Sequence, residues 1–134
     1  MNLIDSSVWI EWIRGSDSAA CGHLRRLLQE DAACVTPVIV QEIVQGARSA
    51  DALRELEARF AGLPLLFPRY ETHLDAARLY ARGRWRGITI RSANDCLIAA
   101  LAVEHELPLL TRDRDFETIA QVEPRLLLLD PKAA

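Results

Sequence analysis

Short apolar runs, set between longer segments of helical period, constrain this chain more than any other feature. "NLID" ends at Asp5, "ACVT" runs to Thr36, "LPLLT" ends at Thr111, and "RLLLLD" closes at Asp130. Runs of this length, bounded by turn and capping residues, suit strands buried in a sheet. "LPLLF", residues 63–67, suits either a short strand or an extended loop. The segments between them are helical. "SSVWIEWIRG" offers Ser6 or Ser7 as cap and Gly15 as stop. "SAACGHLRRLLQED" places Ala20, Leu24, Leu27 and Leu28 at helical spacing. "PVIVQEIVQGA" opens on Pro37 behind a Thr36 cap, a helix start signal. "DALRELEARFAG", "YETHLDAARLYARGRW", "SANDCLIAALAVEHE" and "DFETIAQV" complete the set. Strands alternating with helices predict βαβ units and a mainly parallel sheet. In such open sheets, sites form outside the carboxyl ends of the strands.

That rule picks out four acids. Asp5 stands where the first run ends, and Asp113 lies just past "LPLLT". Asp95 falls in the first turn of the "SAND" helix, and Glu42 lies in the helix after the second run. Each has a plainer reading alone. Asp95 completes a capping box with Ser92. Asp5 suits a cap, and Glu42 suits a solvated helix position, although Val38, Ile39, Val40, Ile43 and Val44 crowd it. A carboxylate in so apolar a segment needs a partner if it is buried. Carboxylates drawn together repel, and desolvation worsens the repulsion. Mg²⁺, or Mn²⁺ in its place, relieves it, because these hard ions take oxygen ligands and keep waters that a substrate phosphate can displace. His23, His73 and His105 are scattered, and no Cys/His spacing fits zinc. Glycine-rich phosphate loops and a GxSxG elbow are absent.

Charge bears on the partner. The 134 residues carry a net charge of −3, unlike the usual basic nucleic-acid binder. Withdrawing four metal-bound acids from the count turns −3 into +1. Lys132 is the only lysine, so every other basic side chain is a guanidinium fork suited to phosphate. "RLYARGRWRGITIR" clusters Arg78, Arg82, Arg84, Arg86 and Arg91 with Tyr80 and Trp85, a mixture that grips phosphates and stacks on unpaired bases. Arg112 and Arg114 alternate with Asp113 and Asp115, either meeting substrate or screening the acids. No apolar run approaches the ~20 residues of a membrane span. The acidic start and three scattered cysteines predict a cytoplasmic protein with reduced thiols. The length predicts a single domain over 1–134.

"LIDSSVWIEW", "TPVIVQEIVQGA", "NDCLIAALA" and "LLTRDRDF", in that order, resemble the four acidic motifs of PIN-domain ribonucleases, and most closely those of VapC toxins. The resemblance runs along essentially the whole chain. It implies an α/β/α sandwich around a short parallel sheet, and a Mg²⁺-dependent endoribonuclease acting on tRNA or rRNA. It implies a homodimer neutralised by a cognate VapB-type antitoxin. Carried over by position, Asp5, Asp95 and Asp113 hold metal directly or through water, and Glu42 holds a water or a second ion. Ser7 and Thr111 match the family's supporting hydroxyls. Of the paired aspartates, Asp113 is expected to bind metal and Asp115 to cap the last helix. Trp9, Ile10, Trp12 and Ile13 make the first helix apolar on more than one face, which predicts either a dimer or antitoxin surface or core packing.

Three rivals fit less well. A receiver domain needs a lysine after a late strand, and Lys132 lies in the C-terminal tail. A haloacid-dehalogenase-type phosphatase needs a second Asp two residues after the first, where Ser7 stands. A binding module without activity has no use for four intact acids.

Overall fold

The structure, a computed structural model, describes residues 1–130. Its centre is a parallel sheet of three very short strands, β1 (Asn2–Ile4), β2 (Ala33–Cys34) and β3 (Leu109–Leu110), in the order β2-β1-β3. Leu3 sits opposite both Cys34 and Leu109. Leu3, Ile4, Leu109 and Leu110 are fully buried, as continuous apolar strands covered on both faces should be. Single parallel bridges widen the sheet at each edge, Val35 to Leu65 and Leu109 to Leu128. "LPLLF" therefore joins one edge. The strand expected from "RLLLLD" contracts to one bridge, held by Leu109 N–H on the Leu127 carbonyl (2.8 Å) and Leu129 N–H on the Leu109 carbonyl (2.9 Å). Among the described residues the run pairs only with β3, and its side chains go from the buried Leu126 through the exposed Leu127 to the half-buried Leu128 and Leu129.

Among the described residues, seven helices connect and cover the strands: α1 (Ser6–Ile13), α2 (Ala19–Gln29), α3 (Pro37–Val44), α4 (Ala50–Ala61), α5 (Tyr70–Trp85), α6 (Ala93–Glu104) and α7 (Asp115–Val122). The crossover from β1 to β2 runs one way across the sheet, and the return to β3 runs the other. Right-handed crossovers then place the two helix sets on opposite faces. The contacts follow this in part: α5, α6 and α7 pack on one another, whereas α3 and α4, which follow β2 in the chain, group with the first set, α1 packing on α2 and α3, and α3 on α4. Buried residues of α6 lie all round the helix, from Cys96 through Ile98 to Ala102, so Asp95 is the polar exception on an apolar rod.

Local chemistry at the helix starts differs from expectation in informative ways. Asp5, not Ser6 or Ser7, caps α1. Thr36 does precede Pro37 as the cap of α3, but its buried hydroxyl has no partner among the described residues. Ser92 Oγ accepts the Asp95 N–H (3.3 Å), which supplies half of the expected capping box. Gly15 follows the end of α1 at φ +78°, the left-handed conformation that ends helices. Trp9 is a core residue: its indole N–H donates to the Ile4 carbonyl (3.1 Å), and its ring meets Phe60 of α4 edge-on at 5.0 Å. Trp12 packs beside it at 5.8 Å, with Arg59 over its ring. Contacts within the chain thus take up Trp9, and the interface expectation fails there, while Ile10, Trp12 and Ile13 stay half-buried. Cys21, Cys34 and Cys96 are buried and unbridged. No helix among the described residues is long and apolar enough to cross a membrane.

Candidate metal centre

The crossover direction reverses at β1, so a crevice opens between the carboxyl ends of β1 and β3, the switch point where open sheets bind ligands. Asp5 stands at one lip and Thr111 at the other. Asp5 Oδ2 accepts hydrogen bonds from Ser7 Oγ (2.7 Å), Thr111 Oγ1 (2.9 Å) and, more weakly, the Ser7 N–H (3.4 Å). Ser7 Oγ in turn accepts the Arg112 N–H (2.9 Å), and Thr111 Oγ1 accepts the Asp113 N–H (3.0 Å). These two hydroxyls fasten the start of α1 to the loop after β3.

Asp95, Asp113 and Asp115 converge in this crevice, with one carboxylate oxygen from each lying within 4.8 Å of the others. The structure departs from the expected split at Asp115, which joins Asp113 in the cluster instead of capping α7. Asp113 Oδ1 accepts the Asp115 N–H (2.9 Å) at the start of α7, and Asp115 is itself the first residue of that helix. Asp113 does the capping-type work while also belonging to the cluster, and the Asp115 carboxylate, 3.9 Å from Arg91, joins it there. Burial pushes the Asp95 carboxyl up to about 7 from an ordinary 3.8, and the charges of Asp5, Asp113, Glu42 and Asp115 add to the shift. Burial and then Asp5 also raise Glu42, against a hydrogen bond from Ser6. Glu42 Oε1 is buried with no hydrogen-bond partner among the described residues.

Five carboxylates thus surround one crevice with little cationic compensation. Arg91 approaches Asp115 only to 3.9 Å, and Arg112 turns away to Glu11 (2.9 Å). The donor set is all oxygen and short of protons or cations. It fits a hard divalent ion, whose charge would offset the burial and the repulsion that raise Asp95 and Glu42. Asp95, Asp113 and Asp115 are placed to hold such an ion, with Asp5 and Glu42 beside them.

The arginines separate into three groups. Arg82 leans on Glu123 (3.7 Å), and Arg86 donates to the Gln121 carbonyl (3.3 Å), so the far end of α7 occupies both. Arg84 lines a separate cleft with Tyr80 and Thr89. Arg91 reaches the acids through Asp115, and Arg112 and Arg114 line a cleft with Thr111 and Asp113. Sequence reasoning missed two residues here, Asp115 as a cluster member and Glu11 as the Arg112 partner. The i, i+4 spacing of Ser7 and Glu11 on α1 was the available signal for the second.

The fold and this crevice together define a class. The PIN-domain pattern matches residues 3–122. Ribonuclease VapC11 of Mycobacterium tuberculosis is 42% identical over 127 residues, covering 91% of this chain and 93% of that protein. The crystal structure of FitAcB from Neisseria gonorrhoeae superposes with a TM-score of 0.76 over 100% of both chains at 24% identity. VapBC2 from Rickettsia felis, bound to a DNA fragment from its promoter, gives 0.75 over 96% of both chains at 18% identity. The chain belongs to the PIN-domain family and, within it, to the VapC ribonucleases.

Proposed function

We propose that the protein is the endoribonuclease toxin of a VapBC pair, cutting phosphodiester bonds in tRNA or rRNA with Mg²⁺, or Mn²⁺ in its place. The observation that carries this reading is the convergence of Asp95, Asp113 and Asp115 at the switch point, with Asp95 pushed up to about 7 and Glu42 Oε1 unpartnered. A divalent ion there would supply Lewis-acid activation of water and screening of charge on a phosphate. The chain's own residues do the rest. Asp95, Asp113 and Asp115 hold the ion, and Asp5, fixed by Ser7 and Thr111, completes the wall beside Glu42. Arg91 and Arg112 stand at the rim, where a phosphate chain would pass.

A VapB-type antitoxin is the expected partner, in keeping with the VapBC and FitA–FitB assemblies that share the fold. We assign the homodimer surface to the outer stripe of α5, where Leu74, Ala77, Ala81 and Trp85 line a shallow apolar depression and Trp85 is 79% exposed. The functional test is cleavage of total tRNA and rRNA by purified protein, with 5′ ends mapped. Cleavage should require Mg²⁺ or Mn²⁺, stop with EDTA, and vanish in Asp95→Asn. Undiminished cleavage in EDTA would remove the ion from the reading.

A further inference from the structure

Beside the acids, between α5 and the first turn of α6, lies a cavity of about 600 Å³ that the reading above leaves without a role. This is the size range of small-molecule pockets. His73, Ala76 and Tyr80 line one wall at i, i+3 and i+7 of α5, while Asn94 and Leu97 line the other. Arg91 closes the end toward the acids, where it also stands 3.9 Å from Asp115.

Three observations select an occupant. No carboxylate lines the cavity, although acids crowd the crevice next to it. Among the described residues, the side chains of His73, Tyr80 and Asn94 make no hydrogen bond to the protein, so their donors and acceptors are free. The Arg91 side chain is 81% exposed and held only by its long contact to Asp115. An apolar slot with one aromatic wall, two amide- or imidazole-type readers and a loose guanidinium at the mouth suits a flat heterocycle attached to a phosphate.

We propose that this cavity receives one unpaired base of the RNA, next to the phosphate held at the acids. The proposal rests on the ribonuclease reading. Tyr80 stacks on the base, and Asn94 and His73 meet its hydrogen-bonding edge. Arg91 takes the phosphate between the base and the cut. The pocket thus sets which nucleotide flanks the cleaved bond. Gly83 shapes it indirectly: a Cβ there would come within 3.0 Å of Ile90 Cδ1, so the absence of a side chain lets the segment carrying Arg91 lie close against α5.

The test uses a hairpin RNA that the protein cuts in its loop, with each loop nucleotide in turn made abasic. Removal of one base beside the cut should lower kcat/KM about 10-fold or more. Tyr80→Ala should show that loss on the intact RNA and no further loss on the abasic one. Tyr80→Phe, which keeps the ring, should behave as the parent. In Ca²⁺, 2-aminopurine at the same position should lose fluorescence on binding to the parent and not to Tyr80→Ala. A full abasic penalty retained by Tyr80→Ala and Asn94→Ala would overturn the pocket while leaving the nuclease intact. So would an unchanged penalty accompanied by weaker neutralisation by the antitoxin, which would make a protein segment the occupant. A parent that cuts no RNA in Mg²⁺ or Mn²⁺ would instead overturn the ribonuclease reading, and this inference with it.

Discussion

Two groups of carboxylates lie at opposite ends of α6, and they have opposite fates. Asp95 in the first turn faces Asp113 and Asp115 in the crevice. Glu104 closes the last turn, nine residues or roughly 14 Å along the axis. There it joins a second charged cavity with Asp75, Glu106 and Glu123. Arginines answer the second group: Arg69 and the Thr72 hydroxyl both donate to Glu104 Oε1 (2.9 and 2.8 Å), and Arg125 and Arg82 engage Glu123. Burial works to raise Glu104, but these bonds prevail and it ends below its ordinary value. Hydrogen bonds from Arg125 lower Glu123. At the crevice the same kind of side chain goes up, since burial and neighbouring acids outweigh the Ser6 hydrogen bond to Glu42, and among the described residues no arginine comes closer than the 3.9 Å from Arg91 to Asp115. Acid content does not distinguish a structural cluster from a functional one. Whether the fold supplies its own cations does.

Neutralising the crevice acids should break this comparison hardest. Asp95→Asn and Asp113→Asn should each lower RNA cleavage by more than the roughly 10–100-fold typical of groups that only orient a metal ligand. Asp115→Asn should fall in the same class. A variant at Asp115 that loses stability but keeps full activity would return it to the capping role its position before "FETIAQV" suggests. Thr111→Val removes the donor to Asp5 Oδ2 and the acceptor of the Asp113 N–H, and should cost about 10–100-fold in activity.

The pH dependence of stability should differ at the two ends. A carboxyl raised to about 7 in the fold and ordinary when unfolded binds its proton more tightly in the fold. The metal-free protein should therefore gain stability as pH falls from about 8 toward 5, by up to a few kcal/mol. The lowered Glu104 and Glu123 contribute in the other sense, but their contribution is present throughout this window and is lost only at pH values below the ordinary carboxylate range. Mn²⁺ should flatten the slope and add about 2.7 kcal/mol at a hundredfold excess over its Kd. Thermal melts at pH 5, 6.5 and 8, with Mn²⁺ and with EDTA, decide it. A metal-free Tm that falls steadily between pH 8 and pH 5 would contradict the raised Asp95.

Much of this was legible in the sequence, for physical reasons. Strand and helix segments announced themselves by period and by breakers: "YETHLDAARLYARGRW" and "DFETIAQV" coincide with α5 and α7. The strand-end rule drew Asp5, Glu42, Asp95 and Asp113 to one edge of the sheet. What stayed hidden depends on side-chain direction rather than spacing. Alternation along "TRDRDF" cannot say that Asp113 Oδ1 turns back to the Asp115 N–H, because only the first turn of α7 creates that donor. Nor can it tell an arginine facing the crevice from one drawn to Glu123, which lies over thirty residues further along the chain. Trp9 misled because two apolar faces on α1 fit a docking surface as well as a core until α4 supplies Phe60.

The mildest change sharpens the comparison from its quiet side. Glu104→Gln keeps the shape of the side chain and removes its charge, so the bonds from Thr72 and Arg69 become neutral or one-sided. Hydrogen bonds to a charged group are worth more than neutral ones, and the difference should appear as about 1 kcal/mol of lost stability. The Arg69 half of the pair is largely exposed, which keeps the loss at the low end. RNA cleavage and its metal requirement should not move, because α6 transmits no charge from its last turn to Asp95 in its first. If Glu104→Gln instead lowered cleavage as deeply as Thr111→Val, the two ends of α6 would be one functional unit, and pairing by arginine would no longer separate structural acids from those that serve a metal.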